Sequence, residues 1–148
     1  MGIDDGFSST EIDQMLGYNY RTRYSFLVLS LLYPDRDWKD IRYNEDHIFP
    51  KSEFSVAKLR KRKYAEEKIN EFQRYFNTLV NLELLPETEN KSKNAADFND
   101  WIKTRDAKFK TRHMIPNCCL DFNEFLDFVM SRKEIMAKRL EEIFKSKK

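Results

Sequence analysis

Asp46-His47-Ile48-Phe49-Pro50-Lys51-Ser52 is the stretch on which the reading of the fold turns. Ile41, Tyr43, Ile48 and Phe49 favour extended backbone and Pro50 ends any ladder, so residues 41–49 predict a first short strand with Asp46-His47 near its end. A second strand is predicted at 79–85, Leu-Val-Asn-Leu-Glu-Leu-Leu, terminated by Pro86. From Glu87 to about Lys103 the chain carries Phe98, Trp101 and Ile102, which suit a helix docked on the two strands. A two-stranded ribbon is marginal alone, so it must pack on helices.

The rest of the sequence supplies them. Only three glycines occur, all before residue 18, and charged and aromatic residues dominate the remainder of the chain. Residues 20–33 predict a core helix stopped by Pro34, with Tyr20, Tyr24, Leu27 and Leu31 at helical spacing as its packed face. Leu59, Tyr64, Ile69, Phe72 and Phe76 predict one inserted amphipathic helix over about 55–76. Residues 104–120 read as irregular around Pro116, and a last helix is predicted over about 121–144, with Asp121 as N-cap and Glu124 in capping-box position. Lys145, Lys147 and Lys148 suit its C-terminus. The expected fold class is therefore mainly α with a small antiparallel β-ribbon, in one domain of 148 residues.

Formal net charge is only +2, so the chain is not globally polycationic. Its distribution is uneven. Asp4, Asp5, Glu11 and Asp13 make an acidic start, whereas Lys58, Arg60, Lys61, Arg62 and Lys63 form a basic run, and Lys103, Arg105, Lys108, Lys110 and Arg112 form another. Such runs are most often solvated helix faces; a phosphate-tracking surface becomes the reading only beside a nuclease-like motif. Adjacent Cys118 and Cys119 cannot bridge each other without strain and lack zinc-knuckle spacing, which makes a reducing cytoplasm the simplest compartment. The most apolar run, 26–33, is far shorter than the roughly 20 residues that span a bilayer, so no membrane partner is expected. The acidic start is no secretory signal, and Gly6 stands where a myristoylation signal wants Ser or Thr.

A carboxylate next to a histidine offers a hard metal ligand and a proton acceptor from neighbouring positions, and a later asparagine can add a second oxygen. Those are the roles that phosphodiester hydrolysis needs. Asn90 stands nine positions after Asn81, and Asn-x-x-Leu-Leu followed by Asn-Lys-Ser-Lys resembles the HNH domain of CRISPR-associated RNA-guided nucleases. The chain more closely resembles the C-terminal HNH region of GmrSD-type modification-dependent restriction proteins. The shared phrases run through Tyr24 to Tyr33, Asp46 to Ser52, Asn81 to Leu85, Asn90 to Trp101, Ile115-Pro116 and Phe122 to Met136, which is most of the chain.

That resemblance implies a ββα-metal finger embedded in a helical domain, with finger elements at about 41–50 and 79–103. It implies an endonuclease that cuts DNA with Mg²⁺ or Mn²⁺, as a restriction or phage-defence module. His47 would be the general base, Asp46 and Asn90 the metal ligands, and Asn81 the brace of the loop that orients His47. Lys51 and Lys93 would touch the phosphate backbone, with the run from Lys58 to Lys63 adding affinity. A carboxylate found in some such sites two residues before the last asparagine is Thr88 here, flanked by Glu87 and Glu89, and Asn94 rivals Asn90 as ligand. His113 reads as structural or surface. The resemblance also implies an N-terminal nucleotide-dependent domain or subunit as partner, the chain being a C-terminal piece of a larger protein; one finger cuts one strand at a time, so a double-strand break is expected to need two protomers or accumulated nicks. The competing class is a catalytically degenerate DNA-binding domain or a helical protein-interaction domain, which explains the helices but not the placement of Asp46, His47, Asn81 and Asn90.

Overall fold

A computed structural model describes residues 8–37 and 39–145. Met1-Gly2, Asp4, Asp5, Gly6, Lys147 and Lys148 of the sequence reading lie outside them. The class is as expected, mainly α with one two-stranded antiparallel ribbon. Among the described residues no helix is long and apolar enough to cross a membrane.

Helix α1 (Ser9–Leu16), for which the sequence reading assigned nothing, starts on the Ser8 hydroxyl, which accepts from the Glu11 N–H, and buries Ile12 and Leu16. Helix α2 (Arg23–Leu32) begins later than expected, because Thr22 caps it by accepting from the Ser25 N–H. Strand β1 (Tyr43–His47) is shorter than expected, Ile48 and Phe49 having left the ladder for the core. A 3-10 turn, Lys51–Phe54, then carries Phe54 inward.

The single helix expected over 55–76 is two, α3 (Val56–Lys61) and α4 (Glu66–Tyr75). Lys63 takes a left-handed φ of 64°, its N–H donating to the Arg60 carbonyl while the Tyr64 N–H donates to that of Leu59. That pairing closes a helix and reverses the chain. A 3-10 turn, Leu79–Asn81, leads into β2 (Leu82–Pro86), so Pro86 ends the ladder from inside it, opposite Tyr43. Helix α5 (Glu87–Lys93) follows without a linker, and the continuous helix expected to Lys103 breaks at Asn94, φ 46°, before α6 (Phe98–Lys103). Part of the segment read as irregular is helical: α7 (Ala107–Arg112) starts on the Asp106 carboxylate and stops through Met114, φ 56°, with the same closing bonds as α3.

A third 3-10 turn, Phe122–Glu124, precedes α8 (Phe125–Lys145). Asp121 does not cap with its side chain, contrary to expectation; its carboxylate accepts from the Asn99 amide at 2.7 Å, and its carbonyl accepts from the Glu124 N–H. Helix α8 packs on α1, α2, α4 and the 79–81 turn. Phe49, pointing in just after β1, meets Phe98, Phe125 and Phe128 with ring centroids 4.9–5.3 Å apart. Such contacts contribute about 0.5–1.5 kcal/mol each beyond the area they bury. Arg132 of α8, fully buried, donates to the carbonyls of Val80 at 2.8 Å, Leu79 at 3.3 Å and His113 at 3.1 Å, tying the turn before β2 to the end of α7.

The face of α2 is the largest departure. Tyr24 is 47% exposed and Leu27 59%, although both were expected in the core; Ser25, Val28, Leu29 and Leu32 are buried instead. Apolar residues surround this helix, so hydrophobicity alone does not choose its face. Ser25 chooses it: its hydroxyl donates to Glu45 of β1 at 2.6 Å, turning that side inward.

Candidate active site

β1, β2 and α5 form a ββα unit, with His47 as the last residue of β1 and Asp46 opposite Glu83 across the ribbon. The chain beyond His47 is fixed by Asn81. Its side-chain oxygen accepts from the Phe49 N–H at 3.0 Å, and its amide nitrogen donates to the carbonyls of Phe49 at 3.1 Å and Phe76 at 2.8 Å. Asn81 is fully buried, so these bonds are made away from competing water.

His47 is 8% exposed, nearly buried. Its ring meets that of Tyr20 edge-on at 4.4 Å and stacks toward Phe76 at 6.4 Å. Nε2 lies 3.0 Å from the Asn77 side-chain oxygen. An amide oxygen only accepts, so Nε2 carries the hydrogen and Nδ1 keeps its lone pair. Burial holds the imidazole below its usual pKa, reinforced by the charges of Lys51, Lys93 and Arg21 against the bond to Asn77. The ring is therefore neutral at neutral pH and able to accept a proton.

Lys93, expected on a phosphate-tracking surface, is instead 1% exposed. Its ammonium donates to Asp46 Oδ2 at 2.6 Å and to the carbonyls of His47 at 2.7 Å and Ile48 at 3.1 Å. Three donors meet three acceptors, which leaves none for a phosphate. Lys93 is thus an internal strut joining α5 to the end of β1. Burial raises the pKa of Asp46 and Lys93 opposes that rise.

Asp46, His47, Asn81 and Lys93 form one connected group. Asn90 lies three residues before Lys93 on α5, hence on the same helical face, and borders a cleft of about 490 Å³ with Tyr20, Arg21, Asn44 and Glu45. Glu45 accepts from the Arg21 N–H at 2.8 Å with one oxygen and from Ser25 with the other. Asn94 closes α5 and is exposed, as is Thr88; Glu87 pairs with Lys91 at 3.4 Å and Glu89 with Arg105 at 3.1 Å.

The donor set fits a hard cation. Asp46 commits one oxygen to Lys93, its other oxygen and the Asn90 side chain accept nothing from the described residues, and both are oxygen donors of the kind Mg²⁺ or Mn²⁺ takes alongside water. Among the described residues no three of His, Cys, Asp and Glu converge as a ligand cluster.

The basic runs are partly neutralised. Glu53 pairs with Lys58 at 3.4 Å and Arg62 at 2.5 Å, and Arg60 pairs with Glu66 at 2.8 Å, leaving Lys61 and Lys63 as the exposed cations of the first run without a described acidic partner. In the second, Lys103, Arg105 and Arg112 pair with Asp100, Glu89 and Asp35, and Lys108 and Lys110 stand exposed. Lys51 is exposed just after Pro50.

His113 is 3% exposed and belongs to the interior, not the surface. Tyr33 lies 3.0 Å from its Nδ1 and Phe109 stacks on it at 4.1 Å. Glu83 Oε1 approaches to 3.4 Å, but not as an ion pair: burial pushes Glu83 up to about 8 and His113 down to about 3, so both are neutral at pH 7.

Sequence reading missed Asn77, Tyr20, Arg21 and Glu45. Asn77 stands four residues before Asn81, a signal once a bracing segment is suspected. Tyr20 and Arg21 reach His47 only through the fold, where Asn19 bridges Thr78.

The first strand of the ββα unit thus ends in a histidine, and an asparagine clamps the loop behind it. Over residues 5–145 the chain matches the family of GmrSD restriction endonucleases, C-terminal domain, and it belongs to that family. It is therefore a restriction-endonuclease-type domain. No curated protein matches the chain.

Proposed function

We propose that this domain is an HNH endonuclease that hydrolyses DNA phosphodiester bonds with a divalent cation, as a restriction or phage-defence module acting in the cytoplasm. The observation that carries it is His47: a neutral imidazole at the end of the first strand of a ββα unit, with Nε2 satisfied by Asn77 and Nδ1 left to accept a proton. His47 takes a proton from the attacking water at Nδ1. Asn77 fixes the tautomer, Tyr20 holds the ring, and Asn81 and Lys93 fix the backbone on which it stands. Asp46 and Asn90 would hold Mg²⁺ or Mn²⁺, which supplies charge neutralisation at the phosphate and the leaving oxygen.

The lone rim cations Lys51, Lys61 and Lys63 are the candidates for backbone contact. We read the chain as one domain, which nicks one strand per event and needs a second copy or a second nick to break a duplex. An N-terminal nucleotide-dependent domain or subunit would be its regulatory partner. A second reading, a finger that binds DNA without cutting, draws on the Lys93 ammonium at Asp46. Supercoiled plasmid incubated with Mg²⁺, Mn²⁺ or chelator separates the two: the hydrolytic reading expects nicked circles only with metal, and binding without nicks under every condition supports the second.

A further inference from the structure

Arg21 stands where the chain leaves the Asn19–Thr78 bridge for α2, with a left-handed φ of 61°. Glycine is the residue of least strain at such a φ, so an arginine there needs a reason. Its backbone supplies part of the setting. The Arg21 N–H donates to Glu45, which fastens this corner to β1 two residues before His47 and engages a carboxylate that would otherwise repel an anion.

Its side chain supplies the rest. The guanidinium lies 5.1 Å from the centre of the Tyr20 ring, and that ring contacts His47. Arg60, Arg62, Arg105 and Arg112 pair with carboxylates and Arg23 donates to the Tyr24 hydroxyl, whereas Arg21 has no carboxylate partner among the described residues. It borders the same cleft as Asn90. An unpaired, planar fork of donors beside a proton acceptor suits one ligand class, a phosphodiester, whose non-bridging oxygens match that fork.

We propose that Arg21 is a substrate-binding residue that grips the phosphodiester presented to His47, an inference that rests on the hydrolytic reading for the identity of its substrate. Arg21→Gly tests it cleanly, because glycine relieves the left-handed backbone and keeps the N–H to Glu45; Arg21→Lys, which keeps the charge without the fork, is the second variant.

With a short DNA duplex in chelator, Arg21→Gly should melt at or above the wild-type temperature yet bind several-fold more weakly. Its slope of log affinity against log salt should fall by about 0.9. Arg21→Lys should regain that slope while its cleavage with Mg²⁺ stays about 10-fold below wild type in kcat. Unchanged duplex affinity and salt slope in Arg21→Gly overturn the proposal, as does a wild type that does not bind the duplex. A wild type that binds through Arg21 but never cuts sinks the hydrolytic reading and leaves the grip standing. A wild type that cuts, with Arg21→Gly cutting as fast and binding as well, sinks the grip alone.

Discussion

The molecule places its two histidines in similar surroundings, and the proposed function gives them opposite uses. Each sits against a tyrosine and a phenylalanine, His47 with Tyr20 and Phe76, His113 with Tyr33 and Phe109. Burial lowers the pKa of both. The difference is which nitrogen is left over. At His113, Nδ1 faces Tyr33 and Glu83 inside the fold and the ring serves packing. At His47, Asn77 takes Nε2 and Nδ1 has no hydrogen-bond partner among the described residues. A histidine becomes usable for chemistry when its fold satisfies one nitrogen and leaves the other unpaired.

The largest expected effect falls on the rate. His47→Ala should slow cleavage per folded molecule by roughly 10² to 10⁴, with some stability lost as well, because the ring packs on Tyr20 and bonds Asn77. His113→Ala should lose about 2–4 kcal/mol of stability from the cavity and the stranded Tyr33 and Glu83, with the rate per folded molecule preserved.

Asn81→Ala sharpens the comparison by attacking the support of His47 alone. It leaves the N–H and C=O of Phe49 and the carbonyl of Phe76 unpaired, so unfolding by denaturant should report a loss of about 2–4 kcal/mol. The rate should fall with it. A rate loss without any stability loss would mean that Asn81 touches the substrate rather than the loop.

The inner histidine also carries a signature in pH. His113, held at about 3 rather than 6.5, favours folding above pH 6.5 and loses that contribution as pH falls toward 3. Glu83, raised to about 8 from 4.5, contributes fully below pH 4.5 and loses that contribution as pH rises through 8. Glu83→Gln should therefore flatten stability between pH 6.5 and 8 and unmask the fall below 6.5, which Glu83 offsets in the wild type down to pH 4.5; chemical denaturation across that range reads it out. At the outer histidine the sign gives an activity limb instead: protonation removes the base, so the rate should hold as pH drops through 6.5 and fail only below it. A limb above 6.5 would show a histidine with no buried side.

The smallest effect concerns the surface. Because Glu53 and Glu66 already engage Lys58, Arg60 and Arg62, Lys61→Ala with Lys63→Ala should lower the salt slope of DNA binding by at most about 0.9 per lysine. No change would make that run ordinary solvated surface.

How much the sequence showed and hid depends on range. The two strands and the class of fold were legible because short apolar or aromatic runs that end at a proline are local signals. Asn81 was singled out in the sequence, and its side chain bonds both the N–H and the carbonyl of Phe49. Helix ends at Lys63, Asn94 and Met114 were not, since left-handed closures carried by residues other than glycine leave no mark in composition. The buried face of α2 depended on Ser25 meeting Glu45 across the fold, and the inward turn of Lys93 on the carbonyls of His47 and Ile48. Both are long-range contacts that periodicity cannot report.

The most direct test of the central claim, that His47 and not His113 is the base of a nucleolytic finger, is a plasmid-nicking time course with Mg²⁺. Wild type, His47→Ala and His113→Ala should be compared at a temperature where circular dichroism shows all three folded. The expected result is nicking by wild type and His113→Ala at similar rates and its near-absence in His47→Ala. Undiminished nicking by His47→Ala, with nicking abolished in His113→Ala, would contradict the account.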